Sequence, residues 1–184
     1  EIKKIYLEVV ICNGIENNAI KILKNKKNLR IIDVSNLNHE DLNSISSQFN
    51  SFLIQTSDTF SFLKSNFKVV SKIKPSSKTL KNLIFVFNVC RFVKSNAIVI
   101  ANNDTTIGIG SGQPSRLDSC KIAIKKMKKF YKEEKDDEII AASDAFFPFV
   151  DGIEKLVQSG VSAVIQPSGS VKDKEIIKFA NRTN

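Results

Sequence analysis

Short apolar segments alternate with segments whose apolar residues recur every three or four positions, and no other feature constrains the fold of this chain as strongly. Runs rich in β-branched residues indicate strands, whereas the longer spacing indicates helices. In the first half the pattern predicts strands at residues 5–12, 29–34, 51–55 and 67–73, and helices at residues 16–26 and 39–49.

The same alternation continues after Pro75, where we place a boundary between two subdomains, residues 1–75 and residues 76–184. Here the pattern predicts helices at residues 80–94, 113–131, 152–158 and 172–181, and strands at residues 97–101, 105–109, 138–142 and 162–166. Strands that alternate with helices pack as layers around a shared sheet. The sequence therefore predicts an α/β fold, a layered sheet with helices.

The charge of the chain is strongly positive, which raises the possibility of a basic nucleic-acid-binding α/β module. The formal net charge is +9 over 184 residues, and 42% of the residues are hydrophobic, enough for a sizeable core. Only Arg30, Arg91, Arg116 and Arg182 are arginines, so the other 24 cations are lysines. Nucleic-acid surfaces favour the bidentate fork of arginine, and we therefore rank this alternative low.

Neither a signal peptide nor a membrane span is predicted. No apolar run approaches the roughly 20 residues that a spanning helix needs, and the N-terminal segment lacks a signal-peptide core. These features favour a cytoplasmic protein with no membrane partner. Because the chain starts at Glu1 without an initiator methionine, we expect it to be a piece of a longer protein.

Metal chemistry is not expected from this set of residues. His39 is the only histidine, and it lies in a polar segment that favours a surface position at the start of a helix capped by Asn38. The three cysteines, Cys12, Cys90 and Cys120, are far apart in apolar segments, which favours buried thiols in a reducing compartment. No zinc pattern is present, so we predict no metal.

A glycine-rich bend between a strand and a helix is the first candidate site. Residues 106–116 read Thr-Ile-Gly-Ile-Gly-Ser-Gly-Gln-Pro-Ser-Arg. Free amides at a helix N-terminus attract anions, and Arg116 adds a positive charge. However, Gln113 replaces the third glycine of a dinucleotide fingerprint. From the residues alone, an anion site and a tight structural turn remain equally good interpretations.

Three phenylalanines around a proline form the second candidate. Residues 143–151 read Ser-Asp-Ala-Phe-Phe-Pro-Phe-Val-Asp, just after a predicted strand. Such a segment can wall a pocket for a planar ring, with Asp151 accepting hydrogen bonds, or it can be a hydrophobic plug between layers. Asp144 is equally compatible with a turn cap, and Asp151 with a helix N-cap.

Two further bends carry polar groups. Asn96 lies between a predicted helix and a strand, where its amide can both donate to and accept from a ligand, or can simply end the helix. Residues 166–170, Gln-Pro-Ser-Gly-Ser, form another bend in which Ser170 can cap the following helix.

Four segments in this order, residues 92–99, 106–116, 143–149 and 164–170, resemble the transformylase domain of one family. That family is the bifunctional purine-biosynthesis enzyme that combines AICAR (phosphoribosylaminoimidazolecarboxamide) formyltransferase and IMP cyclohydrolase. The resemblance is strong from about Leu80 onward and weaker before it. It implies cytidine-deaminase-like α/β units without zinc, and a homodimer whose sites are shared between subunits.

The resemblance also implies a reaction and a set of binding residues. The reaction is transfer of a formyl group from 10-formyltetrahydrofolate, the co-substrate, to the amine of AICAR. Asn96, Arg116 and Phe146 resemble the residues that contact AICAR, the arginine reaching it from the neighbouring chain. The positions that match the folate contacts are Leu117, Asp151, Ser170 and Val171.

Catalytic residues are not expected within this chain. In the family a Lys-His pair lies upstream of the segment resembled here, and His39 is not in that motif; a C-terminal Arg-His-Phe motif is also not found. Ser111, Pro114 and Val150 depart from the usual family residues as well. We therefore expect a piece of the formyltransferase that is inactive alone, or alternatively an inactive ligand-binding or dimerisation remnant of it.

Overall fold

The computed structural model describes residues 4–37, 43–58, 60, 62, 64–132 and 137–183. The chain divides into two compact units, Glu1–Phe60 and Ser61–Asn184. The coarse prediction of an α/β protein is confirmed. The predicted subdomain boundary near Pro75 concerns the organisation of the parent enzyme and stays a prediction.

The first unit contains two pairs of strands. Strands β1 (Val9–Cys12) and β2 (Arg30–Asp33) are parallel, and helix α1 (Asn17–Leu23) connects them. Strands β3 (Ser44–Gln48) and β4 (Ser51–Gln55) form an antiparallel hairpin. The helix predicted at residues 39–49 is therefore wrong where the structure describes it, because residues 44–48 pair with β4; Asn38 and His39 lie outside the described residues.

The second unit begins with segments that carry little regular structure. A short 3-10 turn covers Lys64–Asn66, and the strand predicted at residues 67–73 is wrong, because no strand partner lies beside this segment in the described chain. Instead, the backbone N–H of Lys72 donates to the side-chain carbonyl of Asn181 at 2.7 Å.

A four-stranded sheet with helices on both faces forms the rest of this unit. The strand order is β6-β5-β7-β8, with β5 antiparallel to both neighbours and β7 parallel to β8. The elements are α2 (Ser77–Cys90), β5 (Ile98–Asn102), β6 (Thr105–Gly110), α3 (Arg116–Phe130), β7 (Ile139–Ser143), α4 (Val150–Val157), β8 (Ala163–Ile165) and α5 (Asp173–Thr183). Every element predicted after residue 76 is found, with ends shifted by a few residues.

The two faces of the sheet bury separate apolar clusters, as the alternation of side chains along a strand requires. Ile98 and Ile100 of β5 pack with Cys120, Ala123 and other residues of α3, α4 and α5. Val99 and Ala101 point to the other face and pack with Leu83, Val86 and Cys90 of α2. The result is a three-layer arrangement in which all five residues of β5 are buried.

Two glycines let α3 lie directly on strand β6. A Cβ atom added at Gly110 would stand 1.9 Å from the backbone oxygen of Ser119, and one added at Gly108 would stand 2.3 Å from that of Ala123. Since both obstacles are helix backbone, they cannot rotate away. This close approach fixes where α3, and therefore Arg116 at its first residue, lies against the sheet.

None of the helices in the described ranges combines the length and the apolar character needed to cross a bilayer.

The close approach of α3 to β6 predicts a large effect of a small substitution. Gly110→Ala should lower the free energy of unfolding by about 2 kcal/mol or more, because the helix must move off the sheet. Thr105→Ala, at an exposed position of the same strand, should change it by less than about 0.5 kcal/mol. Denaturant unfolding followed by circular dichroism measures both values. Equal effects of the two substitutions would contradict the packing described here.

Candidate functional site

A cavity of about 400 Å³ opens where helices α3 and α4 begin. Its lining comes from three separate parts of the chain: a residue two positions before β5, the first turn of α3 with the preceding bend, and the segment after β7 together with the first turn of α4. The lining residues are Asn96, Pro114, Ser115, Arg116, Leu117, Ala145, Phe146, Phe147, Pro148, Phe149, Asp151 and Gly152. Both helix N-termini contribute partial positive charge at this point.

The guanidinium of Arg116 joins three segments at the base of the cavity. Its Nη1 donates to the Ser143 hydroxyl at 2.8 Å and forms an ion pair with Asp144 at 2.5 Å, while its Nη2 donates to Oδ1 of Asn96 at 2.9 Å. The side chain of Arg116 is only 9% exposed and that of Asp144 only 15%. The ion pair is thus largely removed from water, where charge-assisted bonds are strongest.

Asn96 is held on both sides of its amide. Its Nδ2 donates to the carbonyl oxygens of Gln113 and Pro114, at 2.9 and 3.1 Å, while its Oδ1 accepts from Arg116. Its backbone carbonyl accepts from the buried hydroxyl of Ser119 at 2.7 Å. These bonds orient the side chain at the cavity edge without using the second lone pair of Oδ1.

Asp144 is ionised more readily than an ordinary aspartate. Burial raises the pKa of this carboxyl, but hydrogen bonds from Ser95, Arg116 and the Ala97 N–H, with the charge of Arg116, outweigh burial and leave the pKa below its usual value. The Ala97 N–H donates to Oδ1 at 3.0 Å. The carboxylate therefore stays charged and keeps Arg116 in place.

The three phenylalanines have different environments. Phe147 is buried, and its own backbone N–H donates to Oε1 of Gln166 at 3.0 Å. Phe146 and Phe149 are 39% and 61% exposed at the cavity. A Cβ added at Gly152 would stand 2.7 Å from the Phe147 ring, so the ring packs directly on the first turn of α4. From the sequence, this segment could be either a hydrophobic plug or the wall of a pocket. In the structure Phe147 packs as a plug, while Phe146 and Phe149 line the cavity.

Leu117 and Asp151 face the cavity from the two helices. Leu117 is half-buried in the first turn of α3. Asp151 is exposed in the first turn of α4, where its Oδ1 accepts from the Gly152 N–H at 2.7 Å. The residue at the N-cap of α4 is Phe149, so the alternative of Asp151 as an N-cap is wrong.

Ser170 and Val171 do not line this cavity. The hydroxyl of Ser170 accepts from the Lys172 N–H at 3.0 Å, and Val171 is 97% exposed. The adjacent Gly169, at φ +117°, donates its N–H to Asp173 at 2.9 Å. The segment is thus a tight turn before α5, and a ligand contact there stays a prediction.

The structure adds groups that sequence reasoning did not assign to the site. Ser143 and Asp144, at the end of β7, hold Arg116; in the sequence Asp144 is offered only as a turn cap. Ser119 anchors the Asn96 backbone from inside α3. The position of Asp144 directly after a buried strand could have indicated a functional carboxylate. Its partner, Arg116, could not be identified in the same way, because it lies 28 residues away in the sequence.

Cysteine and metal chemistry receive no support from the described residues. Cys90 and Cys120 are buried free thiols, as the sequence predicts. Cys12 is also a free thiol, but it is only partly buried, so the prediction that all three are buried is wrong for Cys12. Burial raises the pKa of Cys90 and of Cys120 to about 12, so that neither thiol ionises near neutral pH. Within the described ranges no cluster of histidine, cysteine and carboxylate side chains could hold a metal ion.

Fold and cavity together define an α/β unit whose site has an aromatic wall, an amide and a buried ion pair. The family model described as "AICARFT/IMPCHase bienzyme" matches residues 1–126. The chain belongs to this bienzyme family, which confirms the resemblance in the sequence.

Individual relatives extend the match over the remaining residues. The chain is 43% identical to the bifunctional purine biosynthesis protein PurH of Buchnera aphidicola over 100% of its own length and 35% of the relative. It is 39% identical to PurH of Lactobacillus acidophilus over 97% of its length and 34% of the relative. For PurH of Aquifex aeolicus the values are 41%, 98% and 35%. The chain spans about a third of the length of these curated relatives.

The low pKa of Asp144 predicts how stability depends on pH. Because the folded pKa lies below the unfolded value of about 3.9, its stabilisation is complete above that pH and is lost as pH falls through the folded pKa. Asp144→Asn should lower the free energy of unfolding by about 2 kcal/mol at neutral pH, since Arg116 loses its buried partner. The difference between wild type and variant, measured by denaturant unfolding, should shrink in acid.

Asp104→Asn, in the exposed turn between β5 and β6, is the matched control and should leave stability nearly unchanged at each pH. A deficit of the Asp144→Asn variant that grows as the pH is lowered would contradict the ion-pair explanation.

Proposed function

We propose that this chain forms part of the substrate-binding wall of an AICAR formyltransferase, which transfers a formyl group from 10-formyltetrahydrofolate to the amine of AICAR. The observation that carries the proposal is that five residues matched to family ligand contacts, although up to 55 positions apart, line one cavity: Asn96, Arg116, Leu117, Phe146 and Asp151. Its volume of about 400 Å³ lies in the range of small-molecule sites.

The AICAR side of the cavity is formed by Asn96, Arg116 and Phe146 of one chain. The resemblance assigns the arginine contact to the neighbouring chain, whereas Arg116 here donates to Asn96 of its own chain. The exposed part of the Phe146 ring offers a flat apolar surface for an imidazole. Oδ1 of Asn96 retains a lone pair that can accept from the amide N–H of a carboxamide, and the bonds described above engage three of the roughly five N–H donors of a guanidinium. The partial positive charge of the two helix N-termini would also favour binding of an anionic substrate.

The folate side is formed by Leu117 and Asp151. Leu117 supplies apolar contact, and the exposed carboxylate of Asp151 can accept hydrogen bonds from the amino group of a pterin. Ser170 and Val171 belong to this proposal through the family match alone. Their turn would contribute by moving onto a ligand or by contacting a part of it that extends beyond the cavity.

The parent enzyme would complete the reaction. Formyl transfer requires a base that removes the proton of the attacking amine, and the only histidine, His39, is not in the family Lys-His motif. We propose that the base comes from a part of the enzyme outside these residues, and that the cyclohydrolase activity belongs to another domain. The cytidine-deaminase-like pairing of units and the homodimer with shared sites are part of the same proposal.

Binding to the cavity is tested by substitutions in the aromatic wall. Phe146→Ala should weaken AICAR binding by about tenfold, because the imidazole loses its stacking surface, and Asp151→Ala should weaken binding of a folate analogue more than of AICAR. Isothermal titration calorimetry on the whole chain measures both affinities. Phe130→Ala, an exposed phenylalanine at the other end of α3, is the matched control and should leave both unchanged. Unaltered binding in both cavity variants would disprove the site.

Turnover is tested separately. The chain alone should not transfer formyl from 10-formyltetrahydrofolate to AICAR at a rate above the uncatalysed one, as followed by folate absorbance. Binding without turnover is the expected result for a substrate-binding part of the enzyme. Turnover would show that the chain has its own base, and absence of both would favour a remnant that has lost the function.

A further inference from the structure

The aromatic segment between β7 and α4 is held in part by a side chain from another connection. This segment has no regular secondary structure, and its buried residue Phe147 donates its backbone N–H to Oε1 of Gln166 at 3.0 Å. A buried backbone N–H is costly unless it is hydrogen-bonded. Gln166 therefore supplies the acceptor that a neighbouring strand or a helical turn would otherwise provide.

Gln166 lies at a place where it can join two neighbouring connections. Strands β7 and β8 are parallel and adjacent, with Ala142 opposite Ile165, so the connections that follow them leave the sheet at the same edge. Gln166 is the first residue after β8, and Pro167 favours an extended backbone at the residue before it. The half-buried side chain of Gln166 reaches from the β8–α5 connection to the β7–α4 connection.

Phe147 connects this hydrogen bond to the ligand cavity. Its ring is buried against the first turn of α4, where a Cβ atom added at Gly152 would stand 2.7 Å from the ring, so the ring has little room to shift toward that helix. Phe146, the preceding residue, is 39% exposed and lines the cavity. A displacement of the Phe147 backbone would therefore change the position of the Phe146 ring.

We propose that Gln166 is a positioning residue of the site: it holds Phe147, and through Phe147 the ring of Phe146, in the orientation that a bound heterocycle requires. The described lining of the cavity includes Phe146 but not Gln166, so Gln166 acts on a ligand only through the aromatic wall. This inference rests on the proposed function, because AICAR is the planar ligand expected there. Since aromatic rings prefer particular stacking geometries, a small displacement of Phe146 weakens binding.

Isothermal titration calorimetry of the whole chain with AICAR tests the proposal. Gln166→Met removes the acceptor at nearly constant size and should weaken binding about fivefold, because the Phe147 N–H loses its partner. Gln166→Glu keeps an acceptor oxygen and should stay within about twofold of the wild type at physiological ionic strength, where the added charge is screened. Gln158→Met, at an exposed position just after α4, is the matched control and should leave the affinity unchanged.

A double variant distinguishes positioning from a general effect on stability. Phe146→Ala/Gln166→Met should bind AICAR at most about twofold more weakly than Phe146→Ala alone, because Gln166 acts through a ring that is already missing. Thermal unfolding checks that the variants fold. If Gln166→Met does not fold, Gln166→Asn takes its place with the same expected loss, since its side chain is too short to reach the Phe147 N–H.

The outcomes separate this inference from the proposed function. Unchanged binding by Gln166→Met, an equal loss in Gln166→Glu, or losses that multiply in the double variant would overturn the role of Gln166 while the proposed function stands. Absence of AICAR binding by the wild-type chain would overturn both.

Discussion

The ion pair between Arg116 and Asp144 is the contact on which the cavity depends. It joins the first residue of α3 to the end of β7, and through Asn96 and Ala97 it also holds the entry to β5. The three segments that line the cavity are thus connected by two charged side chains that are nearly excluded from water. A buried charge pair is costly unless its remaining donors and acceptors are satisfied, and here Ser143, Asn96 and the Ala97 N–H satisfy them.

This network can form only because α3 begins so close to the sheet. Gly108 and Gly110 lack the Cβ atoms that would separate β6 from the α3 backbone, and Ser119 uses the same proximity to bind the Asn96 carbonyl. Gly108 and Gly110 of the glycine-rich segment therefore serve to pack helix on strand, a role that differs from both interpretations open from the sequence, an anion site and a tight structural turn. The bearing of this segment on ligand binding is indirect, since it places Arg116 and the N-terminus of α3.

The second half of the fold could be predicted from sequence because its strands are buried and its helices amphipathic, so each periodicity is strong. The first half was harder. Residues 44–48 form a fully exposed strand, and their helix-like spacing carries no information about pairing with β4, which is set by the hairpin register. Residues 67–73 have strand-like composition, but a strand needs a neighbour to bond its backbone, and Lys72 finds a side chain of α5 instead. Composition cannot reveal such distant partners.

For the site, sequence identified the residue types that face a ligand, whereas the supporting contacts required three-dimensional packing. The same limit applies to charge. On α3 the spacing that buries Cys120, Ala123 and Met127 against the sheet places Lys121, Lys125 and Lys128 together on one flank. From sequence these lysines are ordinary solvated residues, and they become a basic groove only because α4 packs beside that flank and adds Lys155. Core packing, through the period of the helix, thus places these four lysines on one surface.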